Sequence, residues 1–260
     1  MSTAEIRLNK AIALAGLASR READALIRRG EVRLNGQVVR ELGTTMVPGA
    51  DDLEVSGQPV AVPTALQAEL WALYKPKGCV STLHDPEGRP SLADLLPRHS
   101  GRLFPIGRLD YDAEGLILLT NDGALAHRVA HPSFGVEKIY LVKIKGLIAP
   151  EALHRLGQGP RLEGRQRQPV RARILHTHND KTWLEVTLRE GIQHHIKKMF
   201  AAEGHRVLKI KRYQVGPVEL GDLQPGQLRK LGRPEMDALL HGAKSVRPRP
   251  AGRRARVQPA

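Results

Sequence analysis

The stretch IGRLDYDAEGLILLTNDGALAHRV, residues 106–129, decides the fold of the larger part of this chain. Its loop residues Arg108 and Asp110 lead into an apolar run at 116–119, which predicts a buried strand. Asn-Asp-Gly at 121–123 then predicts a tight turn into a helix. A carboxylate in a loop beside an apolar strand is a candidate nucleophile or general base. A turn-forming Asp110 or an Arg108–Asp110 ion pair fits the same residues, so the pattern alone leaves these alternatives open.

Around this stretch, short β-rich runs and helical patterns follow one another irregularly. Strands are predicted at 70–74, 116–120, 138–145, 183–189 and 207–215, and helices at 124–130 and 193–202. This irregular order favours an α+β fold over a repeating βαβ sheet. Pro and Gly residues between 48 and 63 mark a change in composition. We therefore predict a small domain at 1–62 and a larger domain at 68–233.

The small domain carries the pattern of two helices and a hairpin. A helix is predicted over 6–16, and Ser19 with Glu22 forms a capping box for a second helix that stops at Gly30. Asn35-Gly36 predicts a type I′ hairpin turn. Five arginines lie on the second helix and the hairpin: Arg20, Arg21, Arg28, Arg29 and Arg33. They could contact an RNA backbone, or they could form an ordinary solvated surface.

The composition favours a polyanionic partner. Lys and Arg total 41 and Asp and Glu total 27, which gives a net charge of +14, and hydrophobic residues make up 41% of the chain. A globular protein with this charge is suited to a nucleic acid. Aromatic residues are only 3%, so phosphate contacts are expected to outweigh base stacking. Residues 243–260 are basic and proline-containing, which predicts a disordered tail.

Several classes of protein and site are excluded by what the sequence lacks. A lone cysteine, Cys79, excludes a disulfide framework within the chain and a Cys-rich zinc module. No apolar run reaches the length of a membrane span, so a cytoplasmic protein without a membrane partner is expected. His127 and His131 have the spacing of a metal pair but no third ligand, and no phosphate-binding glycine loop is present. Neither a metal nor a nucleotide cofactor is therefore predicted.

Two segments of the sequence resemble known families. Residues 7–39, RLNKAIALAGLASRREADALIRRGEVRLNGQVV, resemble the S4-type RNA-binding module. The stretch at 106–129 resembles the catalytic motif of the RsuA-type pseudouridine synthases, the branch that includes the RluB, RluE and RluF enzymes. Together the two resemblances cover the chain from about residue 5 to about residue 233 in the family's order. They imply an S4-like domain followed by a catalytic domain with a mixed, largely antiparallel sheet and flanking helices.

The resemblance also implies roles for individual residues. Asp110 corresponds to the family's nucleophilic aspartate, with attack on C6 of the base or on C1′ of the ribose left open. Tyr140, in the segment EKIYL, corresponds to a tyrosine that lies against the flipped uracil. Arg108 corresponds to the basic residue that helps to hold the target nucleotide outside its helix. Lys138, next to Tyr140 in the same segment, is expected to contact RNA.

A third motif, REGIQHHIKKM at 189–199, resembles the family pattern EGRNHQVRRM. Lys197 stands at the first basic position, which in the family pairs with the catalytic aspartate and would favour its ionised form. Gln193 and Lys198 are expected to contact RNA, with Gln193 and Lys197 on one helix face. The sequence departs from this pattern at Ile192, at His195 and at both lysines. In the aspartate loop, Ala113 stands where the family often has Thr.

The resemblance implies an rRNA pseudouridine synthase, with a target in the large-subunit RNA favoured. Its partner would be ribosomal RNA or a pre-ribosomal particle, and a monomer is expected. Isomerisation adds no group to the RNA, so the reaction needs no cofactor. Two other functions fit parts of the sequence: a non-catalytic S4-type RNA-binding or ribosome-assembly protein, and a general nucleic-acid binder driven by charge.

Overall fold

The computed structural model describes residues 4–64, 67–97 and 103–241. These residues fall into two compact units that divide between Ala68 and Glu69. The predicted tail at 243–260 lies outside the described residues. Among the helices of the described ranges, none has the length and apolar character needed to span a membrane. The predicted domain limits of 1–62 and 68–233 stay predictions.

The described residues of the first unit form two helices and six short strands. In chain order these are β1 (Ile6–Arg7), α1 (Leu8–Leu14), α2 (Arg20–Arg29), β2 (Val32–Leu34), β3 (Gln37–Val39), β4 (Thr45–Met46), β5 (Leu53–Val55) and β6 (Gln58–Val60). The Ser19–Glu22 capping box is present, because each side chain bonds to the other residue's backbone N–H. The helix predicted over 6–16 is shorter than expected, since Ile6 and Arg7 pair with β4 as a strand instead.

The hairpin of the first unit follows the predicted turn chemistry. Asn35 and Gly36 both have positive φ, 51° and 77°, as a type I′ turn requires. Strands β2 and β3 flank the turn, and β5 pairs with the other edge of β2. Buried residues from α1, α2 and these strands form one core, which includes Leu8, Ile27 and Val32. This arrangement confirms the predicted S4-like order of helix, helix and hairpin.

The second unit contains one large sheet with helices packed against it. Its elements are β7 (Leu70–Lys75), β8 (Phe104–Ile106), β9 (Glu114–Thr120), α3 (Gly123–Ala130), β10 (Lys138–Lys145), α4 (Pro150–Gly157), β11 (Arg161–Leu162), β12 (Arg165–Gln166), β13 (Arg171–Thr177), β14 (Lys181–Leu188), α5 (His195–Ala202), β15 (Val207–Val215), β16 (Val218–Glu219), β17 (Leu228–Lys230) and α6 (Arg233–His241). Short 3₁₀ turns lie at Leu92–Leu95 and Pro132–Phe134.

The main sheet runs in the order β13-β14-β10-β15-β9-β7-β17, with β8 also paired to β9 and β16 to β15. Strands β15 and β9 pair in parallel, and the other pairs described are antiparallel. One buried cluster packs α4 and α5 against β10 and β14, and another packs α3 and α6 against β7 and β9. The predicted α+β class, with a mixed and largely antiparallel sheet and flanking helices, is confirmed.

One row of residues crosses four neighbouring strands next to the 107–113 loop. Tyr140 on β10 lies opposite Arg212 on β15, Arg212 lies beside Gly115 on β9, and Gly115 lies opposite Lys75 on β7. Directly opposed residues of paired strands point to the same face of a sheet. The row therefore brings one aromatic ring and two cationic side chains to a single face. The 107–113 loop, which joins β8 to β9, ends immediately before this row.

Gly115 makes the close approach of β9 to β15 possible. Its φ is +114°, and a Cβ at this position would lie 2.1 Å from the carbonyl oxygen of Arg212. We expect Gly115→Ala to lower the free energy of unfolding by at least about 3 kcal/mol, because the backbone of β15 would have to move. Chemical denaturation measures this loss.

Gly123, the first residue of α3, is the matched control for this substitution. A Cβ at Gly123 meets no atom within 4 Å. Gly123→Ala is expected to raise the free energy of unfolding by about 0.5–1 kcal/mol, because alanine has less backbone freedom in the unfolded chain. Equal stability of Gly115→Ala and Gly123→Ala would contradict the role assigned to Gly115.

Candidate active site

The loop that carries Asp110 is held at several points along its backbone. The Ser81 hydroxyl donates to the Leu109 carbonyl at 2.7 Å and accepts from the Leu109 N–H at 2.9 Å. The Gly78 N–H donates to the Tyr111 carbonyl at 2.8 Å. Both residues next to Asp110 are therefore bonded to other parts of the chain, and the position of its carboxylate is fixed from both sides.

Lys75 is fully buried beneath the end of the same loop. Its Nζ donates to the Ala113 carbonyl at 2.8 Å and to the Pro76 carbonyl at 2.9 Å. Burial lowers the pKa of Lys75 to about 8, although the charges of Cys79, Asp110 and Asp112 act in the opposite direction. The segment Lys75-Pro76-Lys77-Gly78 therefore supports the Asp110 loop in addition to making a turn.

Asp110 has two partners from the segment around α5. Its Oδ2 lies 3.5 Å from Lys197 Nζ and 3.1 Å from His194 Nδ1. The Asp110 side chain is 23% exposed, so the carboxylate remains open to a ligand. The arrangement places the Asp110 carboxylate next to a cation, which is the pairing expected from the resemblance.

Lys197 is shared between two carboxylates. Its Nζ lies closer to Asp112 Oδ1, at 2.6 Å, than to Asp110 Oδ2. Burial acts to lower the pKa of Lys197, but the hydrogen bond to Asp112 and the charges of both carboxylates raise it overall. Burial likewise opposes the shift at Asp112, whose pKa is lowered by the hydrogen bond from Lys197. The lysine therefore remains charged beside the loop.

The helix predicted over 193–202 begins later in the structure. Gln193 and His194 form a turn, and α5 begins at His195. His194 has a φ of +55°, the left-handed conformation, which cannot continue a helix. The prediction that Gln193 shares a helix face with Lys197 is therefore wrong. The same turn brings the His194 ring to Asp110.

Tyr140 lies in the buried cluster that also contains Leu109 and Ala113, one residue on either side of the Asp110–Asp112 segment. The guanidinium carbon of Arg212 lies 6.0 Å from the centre of the Tyr140 ring, within the range of a cation–π contact. The ring is therefore fixed next to the loop. An aromatic ring beside a carboxylate can support a base that has left its helix.

Lys138 lies inside the molecule, with 8% of its surface exposed. Burial, with a smaller contribution from the charge of Arg212, lowers the pKa of Lys138 to about 8. Its Nζ has no hydrogen-bond partner among the described residues. This burial favours a role inside the site over the direct RNA contact predicted from the sequence.

The other predicted RNA contacts lie at the surface of their own units. Arg108 and Gln193 are exposed in the second unit, and so are the five arginines of the first unit, Arg20, Arg21, Arg28, Arg29 and Arg33. Lys198 is half-buried and pairs with Glu163 at 2.5 Å. Arg29 pairs with Glu31 at 2.5 Å, whereas the Arg33 guanidinium donates to the Gly36 carbonyl. Exposed guanidinium groups are suited to phosphate contacts.

Sequence reasoning missed several residues of this site. His194 contacts Asp110, which lies 84 residues away in the sequence. Asp112 contacts Lys197, which lies 85 residues away. Arg212 contributes through the parallel pairing of β15 with β9. The family pattern EGRNHQVRRM has a histidine at the position of His194, and this match could have indicated that His194 lies in the site. No group of three potential metal-ligating side chains occurs in residues 4–64, 67–97 and 103–241.

Comparison with known proteins agrees with this geometry. Residues 69–202 match the family model described as RNA pseudouridylate synthase, and residues 6–51 match the S4 domain. An "Uncharacterized RNA pseudouridine synthase" of Aquifex aeolicus is 40% identical over 90% of this chain and 94% of its own length. The "Ribosomal large subunit pseudouridine synthase B" of Bacillus subtilis is 40% identical over 90% of this chain and 95% of its own.

A crystal structure of a pseudouridylate synthase shares the fold, with a TM-score of 0.63 and 31% identity over 90% of this chain and 99% of that one. The two sequence relatives and this crystal structure each cover 90% of the chain. The resemblance and the enzyme class inferred from the motifs are confirmed. The chain therefore belongs to the RNA pseudouridylate synthase family.

Proposed function

We propose that this protein converts a specific uridine of ribosomal RNA, in the large subunit, to pseudouridine. The observation that carries the proposal is the Asp110 carboxylate, which is fixed in its loop, partly exposed and paired with Lys197. The name of the Bacillus subtilis relative supports the large-subunit target. The RNA would be bound as free rRNA or within a pre-ribosomal particle, by a monomer of the enzyme.

The target uridine would leave its helix and lie against the Tyr140 ring. Asp110 then attacks as a nucleophile, at C1′ of the ribose or at C6 of the base. The N1–C1′ bond breaks, the base turns, and a C5–C1′ bond forms. The hydrogen at C5 leaves as a proton, N1 gains a proton, and the carboxylate is released. The atoms of substrate and product are the same, so no group has to be supplied.

Exposed basic groups outside the site of Asp110 and Tyr140 would recognise the RNA. Arg108 lies on the same loop as Asp110 and is exposed, so its guanidinium can bind a phosphate beside the extruded nucleotide. The five arginines of the first unit would bind the backbone of a structured RNA. Affinity carried by such contacts falls steeply as the salt concentration rises.

Tritium release tests the proposal. The protein is incubated with rRNA transcripts and with precursor particles that carry 5-tritiated uridine, and no methyl donor is added. Release from large-subunit RNA, followed by mapping of one modified position, is the expected result. Release from small-subunit RNA alone would correct the target. Binding without release from any of these RNAs would favour the non-catalytic ribosome-assembly function.

A further inference from the structure

Two cationic side chains lie buried beside Tyr140 without full hydrogen bonding. Arg212 is 4% exposed, and its Nε donates to the Leu116 carbonyl at 2.7 Å. Its Nη2 and the Nζ of Lys138 are both inaccessible to solvent and have no hydrogen-bond partner in the part of the chain that the structure describes. We call Lys138 and Arg212 the buried cation pair. A buried charge without a partner is costly, and such a cost is typical of a functional site.

The strand register places the buried cation pair and Tyr140 on one face of the sheet. Lys138 and Tyr140 are two residues apart on β10, and alternate residues of a strand share a face. Tyr140 lies directly opposite Arg212. Lys75, at the other end of the same row, adds a third buried cation whose Nζ donates to backbone carbonyls. The Tyr140 ring therefore shares its face of the sheet with three buried cationic side chains.

The reaction creates negative charge in the base, whichever atom Asp110 attacks. If the carboxylate bonds to C1′, the electron pair of the N1–C1′ bond passes into the uracil ring and onto its carbonyl oxygens. If the carboxylate adds to C6, the electron pair of the C5–C6 double bond passes to C5 and to the O4 carbonyl oxygen. In both routes the charge develops on the base that lies against Tyr140.

We propose that Lys138 and Arg212 stabilise this transient negative charge on the base from beneath the Tyr140 ring. The inference rests on the proposed function and deepens it. The two residues would act through their fixed positive charge and not through direct contact with the base. Their unpartnered nitrogen atoms are inaccessible to solvent in the free protein. Fixed charges in a water-excluded site are effective because they need not reorganise during the reaction. A phosphate of the RNA backbone is a less suitable partner, since phosphates bind at exposed groups.

Lys138→Met tests the proposal, because methionine keeps most of the side-chain length and removes the charge. The expected result is a fall of about 10²–10³-fold in kcat, with the Kd for RNA changed less than about twofold because Lys138 is not at the surface. The Tm is expected to rise by about 2–4 °C, since the cost of the buried charge disappears. A purely structural lysine would lower the Tm and leave kcat per folded molecule unchanged.

Lys143→Met is the matched control. Lys143 lies on the same strand but at an odd position, so it points to the other face, where its Nζ lies 5.2 Å from the centre of the Trp183 ring. We expect kcat to stay within about twofold of the original value. Lys138→Arg, which keeps the charge, should recover most of the activity that Lys138→Met loses.

The outcomes separate this inference from the proposed function. No tritium release by the unchanged protein from any rRNA or precursor overturns the proposed function and this inference with it. Release by the unchanged protein and an unaltered kcat in Lys138→Met overturns the inference alone. If Lys138→Met does not fold, Lys138→Gln and Lys138→Arg replace it, and equal kcat in these two variants overturns the inference.

Discussion

Asp110→Asn is expected to abolish tritium release, with a fall in kcat of at least about 10⁴-fold. The amide has almost the same shape as the carboxylate but is a very poor nucleophile, so the first bond to the nucleotide cannot form. The Kd for RNA should change little, because phosphate contacts supply most of the affinity. Single-turnover release from 5-tritiated rRNA and a filter-binding assay measure the two quantities.

Asp112→Asn is the matched control, since Asp112 lies on the same loop and also binds Lys197. Its side chain is 53% exposed, in contrast to the more enclosed Asp110. We expect a fall in kcat of less than about tenfold, because Lys197 remains paired with Asp110. A loss of activity in Asp112→Asn that matches or exceeds that of Asp110→Asn would assign the nucleophile to Asp112.

Lys197→Met is expected to lower kcat by about 10²–10³-fold. The substitution leaves the carboxylates of Asp110 and Asp112 without the cation they share, and a like-charge pair on one loop disfavours the geometry needed for attack. Lys197→Arg should retain most of the activity, because Arg keeps the charge. Lys230→Met is the control, since Lys230 pairs with Glu69 and not with the loop, and kcat is expected to stay within about twofold.

The effect of Lys197→Met on the free energy of unfolding is expected to depend on pH. The pKa of Asp112 is lowered from 3.8, so the stability it gains from Lys197 is present above that value and lost as the pH falls through its pKa in the folded protein. The pKa of Lys197 is raised from 10.5, so its contribution is lost only as the pH rises beyond that value. Since Asp112 is largely exposed, we expect Lys197→Met to lose less than about 1 kcal/mol at pH 7. Urea unfolding at pH 7 and at successively lower pH should show this difference shrinking as Asp112 takes up its proton.

Local features of the structure could be predicted from the sequence. The Ser19–Glu22 capping box and the Asn35-Gly36 turn depend on residues at most three positions apart, and both are present. The strands around 116–120 and 138–145 follow from apolar runs and alternation, and they lie where expected within one or two residues. The resemblance to known motifs also identified the loop of Asp110, which the structure places beside Lys197.

Features that depend on distant contacts could not be predicted in the same way. Nothing local to Lys138 shows that the fold buries it, because its burial arises from the pairing of β10 with both β14 and β15. The preference of Lys197 for Asp112 depends on a loop 85 residues away. The late start of α5 follows from the left-handed backbone of His194, a conformation that is uncommon for residues other than glycine.

The row of residues across the sheet also affects the order in which RNA binding and catalysis become possible during synthesis of the chain. The first unit closes its contacts between residues 6 and 60, so it can fold as soon as it has left the ribosome. The row includes Arg212, whose Nε bonds to the Leu116 carbonyl across 96 residues, and contacts between residues so far apart in sequence form late. At ordinary elongation rates roughly 8 to 30 s separate the two events. A nascent chain could therefore hold RNA through its arginines before it is able to modify a nucleotide.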